Sequence, residues 1–166
     1  MEIRPPRDRA EQRTAFACLI DRDGGADPLV LERVHLLEDY ARRRKLSLEH
    51  CLVLASRKRI HAACLFLDSP GRTSSVLLSP IGDNPQLRSG LLELLRQAER
   101  EAIARNVQLL QGMVPPECPE EATLYDGAGF EQLATLLNMQ NDLACLRIEP
   151  PRRNLDWETY SPKTHA

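Results

Sequence analysis

The spacing of apolar residues changes several times along this 166-residue chain, and each change marks an element. Residues 8–20, DRAEQRTAFACLI, predict a first helix with Ala10, Ala15, Leu19 and Ile20 turned inward. Whether a strand precedes it is left open by the sequence. The loop DRDGGADP that follows ends in Asp27 and Pro28, an N-cap and a proline suited to the first helical position. Val30, Val34, Leu37 and Ala41 then recur at helical spacing. This second helix runs out in ARRRK, whose cations suit the negative end of a helix dipole; a phosphate-binding role for them is the alternative reading.

The period then shortens. CLVLAS (51–56), IHAACLFLDS (60–69) and TSSVLLSPIG (73–82) predict three successive strands, separated by a polar turn and a Pro-Gly-Arg turn. Short turns favour antiparallel neighbours, and the near-continuous apolar runs predict cover on both faces. Residues 85–105 return to helical spacing, with Leu87, Leu91, Leu94 or Leu95, Ala98 and Ala102 on one stripe and Glu93, Arg96, Glu99 and Arg100 opposite. VQLLQGMV (107–114) is the next strand, entered after Asn106, which suits a helix end. A parallel, right-handed crossover over residues 73–114 is therefore expected inside a mixed sheet. Cys118, Pro119, Glu120 and Glu121 open a short helix that stops at Gly127 and Gly129. Residues 130–149 are long enough for two more strands, with a hairpin around residues 140–142. The expected organisation is one domain over residues 1–148 and a polar, proline-containing tail or linker over 149–166.

Composition narrows the function classes. With 42% apolar and 28% charged residues the chain is an ordinary globular domain, and a net charge of −2 gives no general attraction to nucleic acid or membrane. No apolar run approaches the roughly 18 residues that cross a bilayer. The charged opening MEIRPPRDRAEQR predicts no secretory signal peptide. Five scattered cysteines without a C-x-x-C pair predict reduced thiols in a cytoplasmic setting, and neither they nor the four histidines have metal-ligand spacing.

The stretch LYDGAGF, residues 124–130, falls where the short helix should meet the closing strands, and Met139 supplies an apolar residue on the penultimate strand. In this order of elements, over roughly residues 2–147, the chain resembles the GCN5-related N-acetyltransferase superfamily. The resemblance implies an α+β fold of three layers, α/β/α: a mixed, mostly antiparallel, twisted sheet of six to seven strands with helices on both faces. It implies transfer of an acetyl or other acyl group from acyl-coenzyme A to an amine, with no metal. Tyr125 stands where the family commonly has the acid that protonates the leaving thiolate. The backbone of Val76, Leu77, Leu78 and Ser79 would pair with the pantetheine arm like an added strand.

The family's phosphate loop, Gln/Arg-x-x-Gly-x-Gly/Ala ahead of a Leu-Leu pair, aligns with Pro85, Gln86, Leu87, Arg88, Ser89 and Gly90. Gly90 fits the last position. Pro85 lacks an N–H to donate, and Arg88 stands where a glycine would admit a phosphate to the backbone, so its guanidinium would hold a phosphate from outside instead. Asn84 and Pro85 also read as a plain helix cap and first helical residue.

Each candidate has a structural alternative. Tyr125 is the expected acid, or a core tyrosine with its hydroxyl bonded. Gln111 and Ser79, near the ends of the crossover strands, are candidates to bond substrate or pantetheine amides, and Gln111 needs a polar partner if buried. Asp68 and Asp83 read as turn and cap residues, His61 as a strand-face histidine, and Cys64 and Cys118 lack an activating base. Two functions follow: an acetyl-coenzyme A-dependent N-acetyltransferase acting on a small-molecule or peptide amine, or a degenerate domain of that fold with a docking role. In the second case a homodimer or a covalently linked second acyltransferase domain is the expected partner.

Overall fold

The computed structural model describes residues 1–21, 27–57, 59–81 and 84–136. Its strands are β1 (Glu2–Arg4), β2 (Cys51–Ser56), β3 (Arg59–Ser69), β4 (Thr73–Leu78) and β5 (Leu109–Gly112). Its helices are α1 (Arg9–Ile20), α2 (Pro28–Arg44), α3 (Pro85–Ala104) and α4 (Pro119–Gly127). The strands lie in one sheet in chain order, antiparallel from β1 to β4, and parallel from β4 to β5 across α3. The fold is α+β, with helices on both faces of a mixed, mostly antiparallel sheet.

Five strands stand among the described residues, against six to seven expected. Most of the expected closing hairpin, with Met139, and the tail from residue 149 lie outside the described residues, as do residues 22–26 and Asp83. The start of that hairpin, residues 130–136, is described and carries no strand. Met1–Gln132 form one compact unit. Leu133–Ala166 form a second, of which residues 133–136 are described, with Leu133 and Leu136 exposed.

The apolar runs of the central strands are explained by cover on both sides. On one face Leu52, Leu54, Cys64, Phe66 and Val76 pack against Leu91, Leu94, Leu95, Ala98 and Ala102 of α3 and against α4. On the other, Val53, Ala55, Ala63 and Leu65 pack against α1 and α2. The α3 stripe is the one its spacing predicts. In α1 the prediction is corrected: Ala10 is exposed, and Ala15, Phe16, Ala17 and Cys18 are buried in succession. The successive burial follows from position, since α1 packs on β2 and β3 and also on α2, so more than one stripe is covered. In α2 Val30, Val34 and Ala41 are buried and Leu37 is half-buried. The basic end of α2 is a solvated helix end: Arg42 holds Asp39 at 2.7 Å and Arg44 lies over the Tyr40 ring.

Both crossover strands are shorter than their apolar runs suggest. β4 stops at Leu78, because the next residue turns its N–H and hydroxyl to Ala63 and Pro80 has no N–H to continue a ladder. β5 stops at Gly112, and Pro115 and Pro116 follow closely. At the sheet's other edge β1 is tied to α1. Arg4 Nη1 and Nη2 donate to the two carboxylate oxygens of Glu11 at 2.7 and 2.9 Å, and the Arg7 amide donates to the same group at 2.7 Å. Arg4 first, and then the Arg7 amide, draw the Glu11 pKa down to about 2.

Candidate active site

The parallel pairing of β4 and β5 ends at Val76 opposite Gly112, while β4 runs on to Leu78. Beyond Val76 the ladder stops, and no described strand pairs with Leu77 and Leu78 on the β5 side. A cleft of about 270 Å³ lies at this opening. Its floor is Val76, Leu77 and Leu78, with Met113 on the β5 side. The ends of α1 and the middle of α2 bring Leu19, Ile20, Leu37 and Arg33 to its rim, and Tyr125 of α4 closes it. Among the described residues the wall is thus apolar in its side chains except for one guanidinium and one phenol.

Tyr125 is held from three directions. It sits in the second half of α4, which caps itself through Ala128 and Gly129 amides bonded to carbonyls of residues 124–126. Its ring stands edge-on to Phe130, with centroids 5.1 Å apart and planes at 88°. Its flat side rests on Gly112. A Cβ added to Gly112 would fall 2.8 Å from Tyr125 Cζ and 3.0 Å from its hydroxyl oxygen. Only a residue without a side chain lets the phenol reach the point where the ladder stops.

The Tyr125 hydroxyl makes no hydrogen bond with the described residues, although the residue is buried. Tyr125 thus belongs to the core cluster, as the structural alternative expects, but without the internal hydroxyl bond that alternative includes. Burial raises its pKa well above that of a free tyrosine, with Cys64 and Glu121 adding to the shift. Cys64 is itself completely buried and stays a neutral thiol, so burial and Glu121 are the operative causes. Its raised pKa keeps the hydroxyl protonated through the physiological range, so it has an O–H to donate there.

The other expected residues are placed as follows. Ser79 is buried, and its hydroxyl accepts from the Ala63 amide at 2.8 Å and donates to the Ala63 carbonyl at 3.3 Å; its N–H bonds that carbonyl at 3.0 Å. Its side chain is thereby committed to fixing the end of β4. Gln111 is exposed and donates to Ser75 Oγ at 3.2 Å, across the β4–β5 pair and outside the cleft lining. Asp68 pairs with Arg105, and His61 with Ser56, both away from the cleft lining.

Residues 85–90 all belong to α3. Asn84 Oδ1 accepts from the Gln86 amide at 3.0 Å and the Asn84 carbonyl accepts from the Arg88 amide at 3.0 Å. Ser89 Oγ turns back to the Pro85 carbonyl at 3.2 Å. Ser89 and Gly90 lie inside the helix, where amides bond carbonyls four residues earlier. Gly90 faces the sheet, and a Cβ there would collide with Leu54 Cδ2 and reach Cδ1 at 3.4 Å. Close helix–sheet packing accounts for this glycine. The Arg88 side chain is exposed and makes no hydrogen bond or ion pair with the described residues.

Gly112, Arg33, Leu37 and Met113 were not singled out by the sequence as site residues. Among the described residues no group of three or more His, Cys, Asp or Glu could hold a metal ion, and no helix is long and apolar enough to cross a membrane.

No protein-family model and no curated protein matches the chain. Solved structures do. A ribosomal-protein-alanine N-acetyltransferase from Brucella melitensis aligns with a TM-score of 0.57 at 18% identity, over 81% of this chain and 86% of that one. The aminoglycoside 6'-N-acetyltransferase AAC(6')-IG from Acinetobacter haemolyticus aligns with a TM-score of 0.57 at 14% identity, over 86% and 99%. A protein from Bacillus halodurans C-125 named as a transcriptional regulator aligns with a TM-score of 0.58 at 15% identity, over 84% and 99%. At such identities the likeness establishes the fold, which is that of the GCN5-related N-acetyltransferases. It does not carry an acceptor across.

Proposed function

We infer that this chain is an acyl-coenzyme A-dependent N-acyltransferase working in a cytoplasmic setting, with acetyl-coenzyme A as the first donor to try. The observation that carries this reading is the Tyr125 hydroxyl, protonated and without an internal partner, beside the opening between β4 and β5. When bound, an acyl thioester supplies the activated acyl group, and an amine displaces its sulfur. The chain's own residues supply position and a proton. The β4 edge at Leu77 and Leu78 suits the amide-bearing arm of the donor, as an added strand would. Tyr125 Oη donates to the departing sulfur. Its raised pKa makes it a weak acid, so its main contribution is a hydrogen bond to the developing thiolate rather than early proton loss.

The diphosphate end of the donor fits less well. Pro85 has no N–H, the Gln86 and Arg88 amides are taken by Asn84, and Gly90 is used for packing. That observation favours the second reading, a domain of this fold with a docking role and no catalysis. Calorimetric titration with acetyl-coenzyme A decides between them. A ligand at 100 times its dissociation constant adds about 2.7 kcal/mol to stability. Absence of heat and of thermal stabilisation at millimolar ligand would remove the acyltransferase reading. If the donor binds, Tyr125→Phe should lower kcat about 100-fold with little change in donor affinity. Unchanged turnover takes Tyr125 out of the chemistry.

A further inference from the structure

We propose that the cleft takes an acceptor in which the amine is accompanied by an anionic group, carboxylate or phosphate, and an apolar body, with Arg33 holding the anion. The proposal rests on the acyltransferase reading for the chemistry, and on the cleft alone for the recognition.

Three observations converge. First, the lining is of one kind: aliphatic side chains from α1, α2 and β4, with Arg33 the single charged group among the described residues. The cavity of about 270 Å³ shares its Leu77–Leu78 floor with the donor's arm, and what remains on the Arg33 side suits a metabolite-sized acceptor rather than a folded surface. Second, Arg33 is unspent. Arg4, Arg13, Arg42, Arg96 and Arg105 each hold a carboxylate; Arg33, like Arg43 and Arg88, makes no ion pair or hydrogen bond with the described residues, and of these three it alone lines the cleft. Its helical neighbours three and four positions away are Leu29, Val30, Leu36 and Leu37, so α2 itself offers no counterion. Asp27, the acid nearest in sequence on the N-terminal side apart from Glu32, spends its side chain capping the Leu29 amide. Third, the sign matters for the reaction. A permanent cation lining the cleft favours the neutral, nucleophilic form of a nearby amine and disfavours polycationic acceptors. A guanidinium presents a planar fork of donors that suits a carboxylate or phosphate.

The test uses the whole chain and matched probes. Leucine is compared with leucinamide, and 6-aminohexyl phosphate with 6-aminohexanol; each pair keeps the amine and apolar body and removes the anion. Binding is followed by amide chemical shifts, and acetyl transfer by thiol release. Wild type should bind at least one anionic probe about tenfold or more tightly than its neutral partner, since hydrogen bonds to charged groups reach that size. Arg33→Ala should abolish that preference while leaving the neutral probes unchanged, and Arg33→Lys should restore part of it. The pair that shows the preference identifies carboxylate or phosphate. Equal binding within both pairs, a preference for spermidine over the anionic probes, or an undiminished preference in Arg33→Ala each overturns the proposal. The two readings fail separately. Anion preference without acetyl-coenzyme A binding retains the recognition and loses the chemistry. Turnover indifferent to the anion and to Arg33 does the reverse.

Discussion

Placing a methyl group on Gly112 tests how the site is assembled. The Cβ of Gly112→Ala would stand 2.8 Å from Tyr125 Cζ and 3.0 Å from the hydroxyl oxygen. Carbon atoms pack at about 3.5–4.0 Å, so the ring has to withdraw by roughly 1 Å. It has little room, being buried and edge-on to Phe130. Overpacking of this kind costs about 1–3 kcal/mol, and the gain of alanine over glycine in a strand, about 0.5–1 kcal/mol, only partly offsets it. A net loss of about 1–2 kcal/mol lowers the melting temperature of a unit this size by roughly 3–10 °C. Thermal unfolding of four proteins isolates the cause: wild type, Gly112→Ala, Tyr125→Ala and the double variant. Tyr125→Ala alone should cost about 3–5 kcal/mol through the cavity it leaves. With the ring gone the new methyl has nothing to strike, so the double variant should be about 1–3 kcal/mol more stable than the two single losses predict. Additivity within about 0.5 kcal/mol would refute the claim that the phenol is seated on Gly112.

Two further outcomes follow from contacts outside the cleft. Gly90→Ala should destabilise by up to about 2 kcal/mol, an overpacking cost against Leu54 less the roughly 1 kcal/mol that alanine gains in a helix. In a Leu54→Ala background the same change should stabilise by about 1 kcal/mol, measured by denaturant unfolding; a stabilising effect in both backgrounds would show that Leu54 is not the obstacle. The Glu11 tie to Arg4 predicts a pH dependence at β1. The folded pKa, about 2, lies below the ordinary 4.5, so the contribution is present above the ordinary value and is lost as pH falls toward the folded one. Protection of the β1 amides against hydrogen exchange should decline over that window ahead of β3, and Glu11→Gln should remove the decline. Parallel loss in both strands would contradict it.

Most of the scaffold was legible because its signals are local. Asp27 and Pro28 mark the start of α2 by their own chemistry, and the strand β2 is bounded by the residues its apolar run predicts. The inward face of α1 is only partly legible: Ala15 is buried as expected and Ala10 is exposed, while burial of Phe16, Ala17 and Cys18 in succession depends on the sheet and a second helix that local spacing cannot reveal. The site divides the same way. Tyr125 announces itself through the Leu-Tyr and Gly-Phe pairs around it. Gly112 does not, since a glycine in a four-residue strand reads as a weak point until the ring thirteen residues later is seen resting on it. Arg33 looks like one more solvated arginine of an arginine-rich helix. Its apolar neighbours at helical spacing were the available signal, because they leave it without a partner on its own helix.

The start of α3 shows a conflict between stability and ligand binding that bears on the donor. A side-chain cap such as Asn84 is worth about 1 kcal/mol to a helix, and proline at the first position is preorganised for it. Both consume what an anion needs. Helix N-termini bind phosphate through amides that have no other partner. Here Pro85 has none to offer, and the amides of Gln86 and Arg88 are bonded to Asn84, leaving Leu87 and the Arg88 guanidinium. If the chain binds an acyl-coenzyme A, most of the affinity must therefore come from the arm lying along Leu77 and Leu78 and from the cleft, with the diphosphate adding a small part through Arg88. An acetyl-pantetheine thioester, which lacks that diphosphate, should then bind within about tenfold of acetyl-coenzyme A, a difference of about 1.4 kcal/mol. Replacing Arg88 by alanine should weaken the coenzyme and leave the pantetheine thioester unchanged. A loss of a thousandfold or more on removing the nucleotide would show that α3 grips the diphosphate after all, and that its capped start opens when the donor arrives.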